Sequence, residues 1–208
     1  MVTSMRYVLV AMLAAAPVAA QELLDRVLAR VNEEPITLTD ARAAIALGMI
    51  ERTEGVDPIV SAVPQLIERR LVLAEVARFA PPEPDIASLT GQVNAIKARV
   101  GSPEELAALE RTTGVGDTQI REIARDDLRI RAYLNQRFGS SVQATDEDAA
   151  AYYRAHLDEF RVDGVLTPYA EAEPLARQKA AAERRGAIVF QWMRELRQRA
   201  DVVEMGRK

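Results

Sequence analysis

A succession of capped amphipathic helices dominates the sequence between residues 39 and 199. Cap residues such as Asp85, Ser102 and Thr145 precede apolar stripes at helical spacing. Aromatic residues make up only 5 % of the chain, whereas hydrophobic residues make up 49 %. The core must therefore be aliphatic and rich in alanine, which favours helix over sheet. A chain of 208 residues can hold one substantial core with a satellite lobe. We predict a mainly α fold.

Short strands are predicted at the two ends of this helical region. Apolar and outward residues alternate over 25–31, the pattern of a half-buried strand. A second such strand lies at 201–205, and the first is its only sensible partner. We therefore expect a small β-sheet that joins the N- and C-terminal strands. After the first strand, Thr39 is predicted to cap a helix that begins at Asp40.

The longest predicted helix covers residues 174–199 and closes the fold. Pro174 is expected to start it, and residues 161–167 before it are predicted to form a loop. Its apolar seam should lie against the helices that begin near Pro58 and Thr118.

The first twenty residues have the features of a secretory signal peptide. Arg6 supplies the positive charge, an apolar stretch follows, and small residues precede Gln21. The alternative is an uncleaved membrane anchor, although the apolar stretch is short for a bilayer. We predict an exported single domain over 21–208, with no stable membrane insertion after cleavage.

Composition excludes several classes of function. The formal net charge is −4 and the isoelectric point is near 5.3, which argues against a general nucleic-acid binder. The chain has no cysteine and a single histidine, His156, so a thiolate metal site and a two-histidine metal site are excluded. His156 itself reads best as a surface residue; the alternative is an enzyme built around it. We predict no catalytic residue, no metal and no cofactor.

The stretch from residue 43 to residue 50 contains no polar side chain, which is unusual for a surface helix. Either other helices cover it on all sides, or it presents an apolar patch. In the second case Ala43, Leu47, Met49 and Ile50 would form a client-binding or dimer surface.

Two charged residues fall in the apolar stripe of the helix after Asp117. Asp127 and Arg131 are four residues apart, and burying them costs desolvation unless they are paired. We interpret them as a structural ion pair, joined across the core by Arg69 or Arg70. A catalytic role is the less favoured alternative.

The order of five segments resembles the N-terminal module of SurA-like periplasmic chaperones, a group that often carries parvulin prolyl isomerase domains. These segments span nearly all of residues 22–205. They read LLDRVLARVNEEPITLTDA, VPQLIERRLVLAEVARF, GSPEELAALERTTGVGDTQIREIARDDLRIRAYLNQRF, VQATDEDAAAYYRAHLDEF and RQKAAAERRGAIVFQWMRELRQRADVVEM.

The resemblance implies a helical chaperone module in the periplasm that holds unfolded exported proteins without ATP. Its clients would include outer-membrane β-barrel precursors. In family members with isomerase activity, the parvulin domain follows the segment matching 151–160; here only residues 161–167 precede the closing helix. We therefore expect a chaperone without isomerase activity. The alternative is a dedicated assembly partner in the cell envelope without general chaperone activity. The sequence leaves the oligomeric state open.

Overall fold

The computed structural model describes residues 25–139 and 143–205, and the predicted signal peptide lies outside these ranges. The protein is mainly helical, with a small antiparallel sheet and a short hairpin. Within the described ranges no helix has both the length and the apolar character needed to cross a bilayer.

In chain order the elements are β1 (Val27–Val31), β2 (Glu34–Thr37), α1 (Leu38–Ala46), α2 (Pro58–Phe79), α3 (Ile86–Val100), α4 (Pro103–Thr113), α5 (Asp117–Phe138), α6 (Asp146–Ala155), the 3₁₀ turn Leu157–Phe160, β3 (Arg161–Val162), β4 (Val165–Leu166), α7 (Tyr169–Arg199) and β5 (Val202–Glu204).

The two ends of the described chain meet in one sheet, as the sequence predicts. The strand order is β2-β1-β5, and β1 pairs antiparallel with both neighbours. Ala29 lies opposite Glu204, and Val31 lies opposite Val202. Because Ala29 and Val31 are buried, one face of the sheet covers the main core.

Two hydrophobic clusters make up the body of the molecule. The first lies between the sheet, α2, α5 and the C-terminal part of α7, where Trp192 packs 5.3 Å from Phe138 and 5.9 Å from Tyr133, measured between ring centroids. The second joins the end of α1 to α3, α4 and α5 around Leu47 and Ile96. Helix α5 contributes to both clusters and so ties them together.

A third cluster forms a separate lobe, which we call the arm. It consists of α6, the 3₁₀ turn, the β3–β4 hairpin and residues 169–180 of α7. Ala149 of α6 and Ala172 and Ala176 of α7 are buried there, and such small side chains let two helices approach closely. Ion pairs flank this contact, with Arg177 2.6 Å from Asp146.

Helix α7 buries different faces in the arm and in the body. Ala176 faces α6, whereas Leu196 faces the body, and these two side chains lie about 160° apart around the helix axis. Most residues from 182 to 191 between them are exposed. The C-terminal part of α7 therefore contacts α2 and α5 as predicted, but its N-terminal part packs on α6.

Two helix starts differ from the sequence-based expectation. Thr37, not Thr39, caps α1: its Oγ1 accepts from the N–H of Asp40, whose carboxylate accepts from the N–H of Thr37. Helix α7 begins at Tyr169 and runs through Pro174. Pro174 is in the second turn, so only the bond to the carbonyl of Ala170 is lost.

The predicted loop over residues 161–167 is a β-hairpin. Arg161 lies opposite Leu166, and Asp163 and Gly164 form the turn with φ angles of 50° and 82°. Positive φ at both turn positions is the geometry in which the twist of a two-residue turn matches the twist of its strands. The Asp-Gly pair is the signal that identifies this hairpin.

Candidate functional site

An open cleft of about 530 Å³, which we call the main cleft, lies between the helices of the body. Its walls are the chain after α1, one face of α2, part of α5 and Met193 of α7. The apolar side chains that line it are Met49, Ile50, Leu66, Val72, Ile130 and Met193. The cleft therefore lies between the two hydrophobic clusters of the body and offers apolar surface from both.

Hydrogen bonds fix the loop that forms one wall of the main cleft. The Gln65 side chain accepts from the N–H of Glu51 and donates to the Glu51 carbonyl, both at 2.9 Å. Gly48 precedes this wall with φ of +63°, and a Cβ atom there would lie 3.4 Å from Cδ of Arg99. The apolar residues Met49 and Ile50 are thus presented by a wall that is anchored on α2.

An ion pair crosses between α2 and α5 at the edge of the main cleft. Arg69 donates to Oδ1 of Asp127 at 2.5 Å, and Gln92 of α3 donates to Oδ2 at 3.1 Å. The Arg69 and Asp127 side chains are 20 % and 15 % exposed. The pair is half-buried and keeps partners on both carboxylate oxygens, which limits its desolvation cost.

The other two members of the predicted ion-pair network are elsewhere. Arg131 is exposed on the rim of the main cleft and pairs with no carboxylate in the described part of the chain. Arg70 pairs at 2.6 Å with Glu34, at the surface. Asp127 points toward α2 rather than along its own helix, so the contact four residues away is not made.

A second cavity of about 200 Å³, the small cavity, lies on the other side of Arg69. It shares Met49, Leu66 and Arg69 with the main cleft, so the two spaces are adjacent. Ala43, Leu47 and Arg70 line it as well. The four residues of the predicted apolar surface and the four of the predicted ion-pair network thus each line at least one of the two cavities.

The proposed apolar surface around residues 43–50 needs correction. Ala43 is 5 % exposed and Leu47 is fully buried, because α2 and α4 cover α1. Both residues are core, so neither forms an exposed client or dimer surface. Met49 and Ile50 are half-buried and remain accessible from the main cleft.

Asp126 brings a carboxylate to the small cavity. Burial raises the pKa of Asp126, and the nearby guanidinium groups of Arg69, Arg129 and Arg125 offset this effect only in part. Adjacent Asp127 faces Arg69 directly, so the two neighbouring carboxylates differ in surroundings. They are not a shared acid–base pair.

His156 lies in the arm, at the end of α6. Its ring stacks on Tyr152 with centroids 4.0 Å apart, and Nδ1 is 3.0 Å from the Tyr152 carbonyl. It lines neither the main cleft nor the small cavity. An enzyme built around His156 would need a pocket that joins this residue to a buried carboxylate. Neither the main cleft nor the small cavity is such a pocket.

Sequence reasoning missed several residues of the main cleft, above all Ile130, Met193 and Gln65. Ile130 and Met193 belong to predicted apolar seams and carried no separate signal. Their role as cleft residues depends on how α5 and α7 pack, which a single helix pattern does not encode.

Comparison of the chain with models of known protein families gives no match. No curated protein sequence matches it at a significant level either.

Proposed function

We propose that this protein is an ATP-independent chaperone of the holdase type that binds unfolded exported polypeptides. The observation that carries the proposal is the main cleft, an open apolar space with charged residues at its rim. The resemblance of the sequence to SurA-like chaperones supports it, and the signal peptide predicted over residues 1–20 points to the periplasm.

The main cleft has the properties that reversible binding of unfolded chains requires. Burial of apolar surface contributes about 25 cal/mol per Å², and ordering of an unfolded segment opposes it. Met49 and Met193 present flexible thioethers that can adapt to different side chains. The expected result is weak binding that tolerates many apolar sequences, including the alternating segments of outer-membrane β-barrels.

The proposal includes no catalytic role. Between the 3₁₀ turn and α7 the chain forms only the β3–β4 hairpin. A proline-isomerisation assay with the purified protein should give the uncatalysed rate. A clear rate above that background would contradict this part of the proposal.

Aggregation of an unfolded outer-membrane β-barrel protein tests the function directly. The purified protein at stoichiometric ratio should suppress light scattering, and Ile50→Glu should weaken this protection because it places a charge on the cleft wall. Ile86→Glu makes the same chemical change at a side chain that is 83 % exposed and does not line the main cleft, so it should protect normally.

Two outcomes would contradict the proposal. Equal protection by the Ile50→Glu variant and the unchanged protein would remove the main cleft as the binding site. No protection, combined with one partner that co-purifies at fixed stoichiometry, would favour the dedicated assembly partner instead.

A further inference from the structure

Residues 182–188 of α7 lie between the part of the helix in the arm and the part in the body, and we call them the bridge. All of them are exposed except Arg185, which is half-buried. Within the described ranges, the arm cluster and the main core have no residue in common, and neither includes a residue of the bridge. The bridge therefore keeps its helical form mainly through its own backbone hydrogen bonds, because no core packs against it.

Gly186 lies in the bridge at a position that does not require glycine. Its φ angle is not positive, so other residues can adopt the same helical backbone. Apart from its chain neighbours and the backbone of its own helix, no atom lies within 4 Å of the place where a Cβ atom would be. Glycine weakens an exposed helix relative to alanine, because its backbone loses more conformational freedom on folding. The bridge thus has a weak point that neither backbone geometry nor packing explains.

Gly91 of α3 shows the contrast with a helix that a core supports. It is also exposed, and a Cβ atom there would likewise meet no atom within 4 Å. However, Leu89 and Val93 on either side of it pack against the second hydrophobic cluster. Helix α3 is therefore held in place around its glycine, whereas α7 is not held around Gly186.

The contacts that link the bridge to the two lobes are few and lie at the surface. Arg184 lies 3.1 Å from Asp148 of the arm, and Arg185 donates at 2.7 Å to Oδ1 of Asn135 near the end of α5. Elsewhere in the described ranges, no hydrogen bond or ion pair joins the arm directly to the sheet or to α1–α5. Exposed contacts of this kind contribute little to stability, so they oppose a bend of α7 only weakly.

We propose that α7 bends at Gly186 and that the arm moves about this hinge as one unit relative to the body. Tyr169 lies about 26 Å from Gly186 along the helix axis, so a bend of about 20° would move the start of α7 by about 9 Å. The moving lobe carries Val162 and Val165, which are 66 % and 72 % exposed on the hairpin. All residues that line the main cleft lie on the body side of the hinge. The motion therefore changes the distance between the exposed hairpin and the main cleft without changing the cleft itself.

Distances between two spin labels test the hinge. The chain has no cysteine, so labels attach only at introduced cysteines. Arg154→Cys in the arm and Arg121→Cys in α5 form a pair that spans the bridge, and Gln198→Cys with Arg121→Cys forms a reference pair within the body; all three sites are exposed. The spanning pair should give a broader distance distribution than the reference pair, and Gly186→Ala should narrow it. Gly91→Ala makes the same chemical change in α3 and should leave the distribution unchanged.

Hydrogen exchange on the protein without labels provides an independent measurement. Gly186→Ala should slow the exchange of the amides over 186–190 by about fivefold, which is the difference in helix-forming tendency between glycine and alanine. A spanning distribution as narrow as that of the reference pair, or one that Gly186→Ala does not narrow, would overturn the hinge. Neither measurement involves a client, so the hinge is tested independently of the proposed function.

Discussion

The backbone N–H of Asn32 donates to the carbonyl of Asp201 at 2.7 Å, although 169 positions separate the two residues. In return, the N–H of Asp201 donates to Oδ1 of Asn32 at 3.2 Å. This reciprocal contact fixes the chain just after β1 to the chain just before β5. The C-terminal end of α7 is thereby held on the sheet, which positions Trp192 and Met193.

Trp192 should be a major source of stability. It is buried against Tyr133 and Phe138, so Trp192→Ala is expected to cost about 3–5 kcal/mol of unfolding free energy. Phe190→Ala removes an aromatic side chain that is 65 % exposed on the same helix and should change stability by about 0.5 kcal/mol or less. Urea denaturation measures both, and similar losses in the two variants would contradict the packing of α7.

The ion pair between α2 and α5 should contribute through Arg69 and not through Arg131. Asp127→Asn leaves a half-buried guanidinium without its counter-charge and should cost about 2 kcal/mol. Arg131→Ala should fall within about 0.5 kcal/mol of the unchanged protein, because Arg131 is exposed. Chemical denaturation at matched salt checks this order; the reverse order would contradict the observed pairing.

The raised pKa of Asp126 predicts a stability effect that depends on pH. Burial disfavours the charged form of Asp126 in the folded chain. Asp126 therefore favours the folded state most when it is protonated, at pH values below its pKa in the unfolded chain. As the pH rises through the raised pKa of the folded chain, Asp126 becomes charged and this contribution to the stability of the protein is lost. Asp126→Asn should therefore raise the Tm near about pH 7.

The gain from Asp126→Asn should shrink as the pH falls toward 3.8, the ordinary value for an aspartate. Thermal melts across this range provide the test, and a gain independent of pH would contradict the role of burial.

The arm should respond to overpacking separately from the body. Ala149 is fully buried against α7, and Ala149→Leu is expected to cost about 1–3 kcal/mol of local stability. Hydrogen exchange should then accelerate over 146–160 and leave β1 and β5 unchanged. Ala182→Leu adds the same side chain at an exposed position of α7 and should alter neither region.

The pairing of the two ends was predictable because the C-terminal strand over 201–205 has one sensible partner, the strand over 25–31. The start of α1 was not, since Thr37 and Thr39 are both suitable caps and only the contact with Asp40 decides between them. Asp127 was expected to pair with Arg131, which is wrong, and to be joined by Arg69 or Arg70 of α2, of which only Arg69 makes the contact. The choice of Arg69 over Arg70 could not be made, because adjacent helix positions point about 100° apart and the rotation of α2 is set by tertiary packing.

The candidate site was predictable only in part, because it too depends on tertiary packing that a helix pattern does not show. Ala43 and Leu47 were recognised as unusual because no polar residue lies near them, but the pattern does not distinguish a covered helix from an exposed one. The main cleft takes residues from α2, α5, α7 and a loop, so it exists only once these elements have packed.

The hairpin of β3 and β4 starts and finishes at almost one point, since the N–H of Thr167 donates to the carbonyl of Phe160 at 2.9 Å. Its turn at Asp163 and Gly164 projects from the arm, beyond exposed Val162 and Val165. A whole additional domain spliced into that turn would leave and rejoin the arm at neighbouring positions. The alanine contacts between α6 and α7 would be kept, so this turn is a suitable position for the insertion of a further domain.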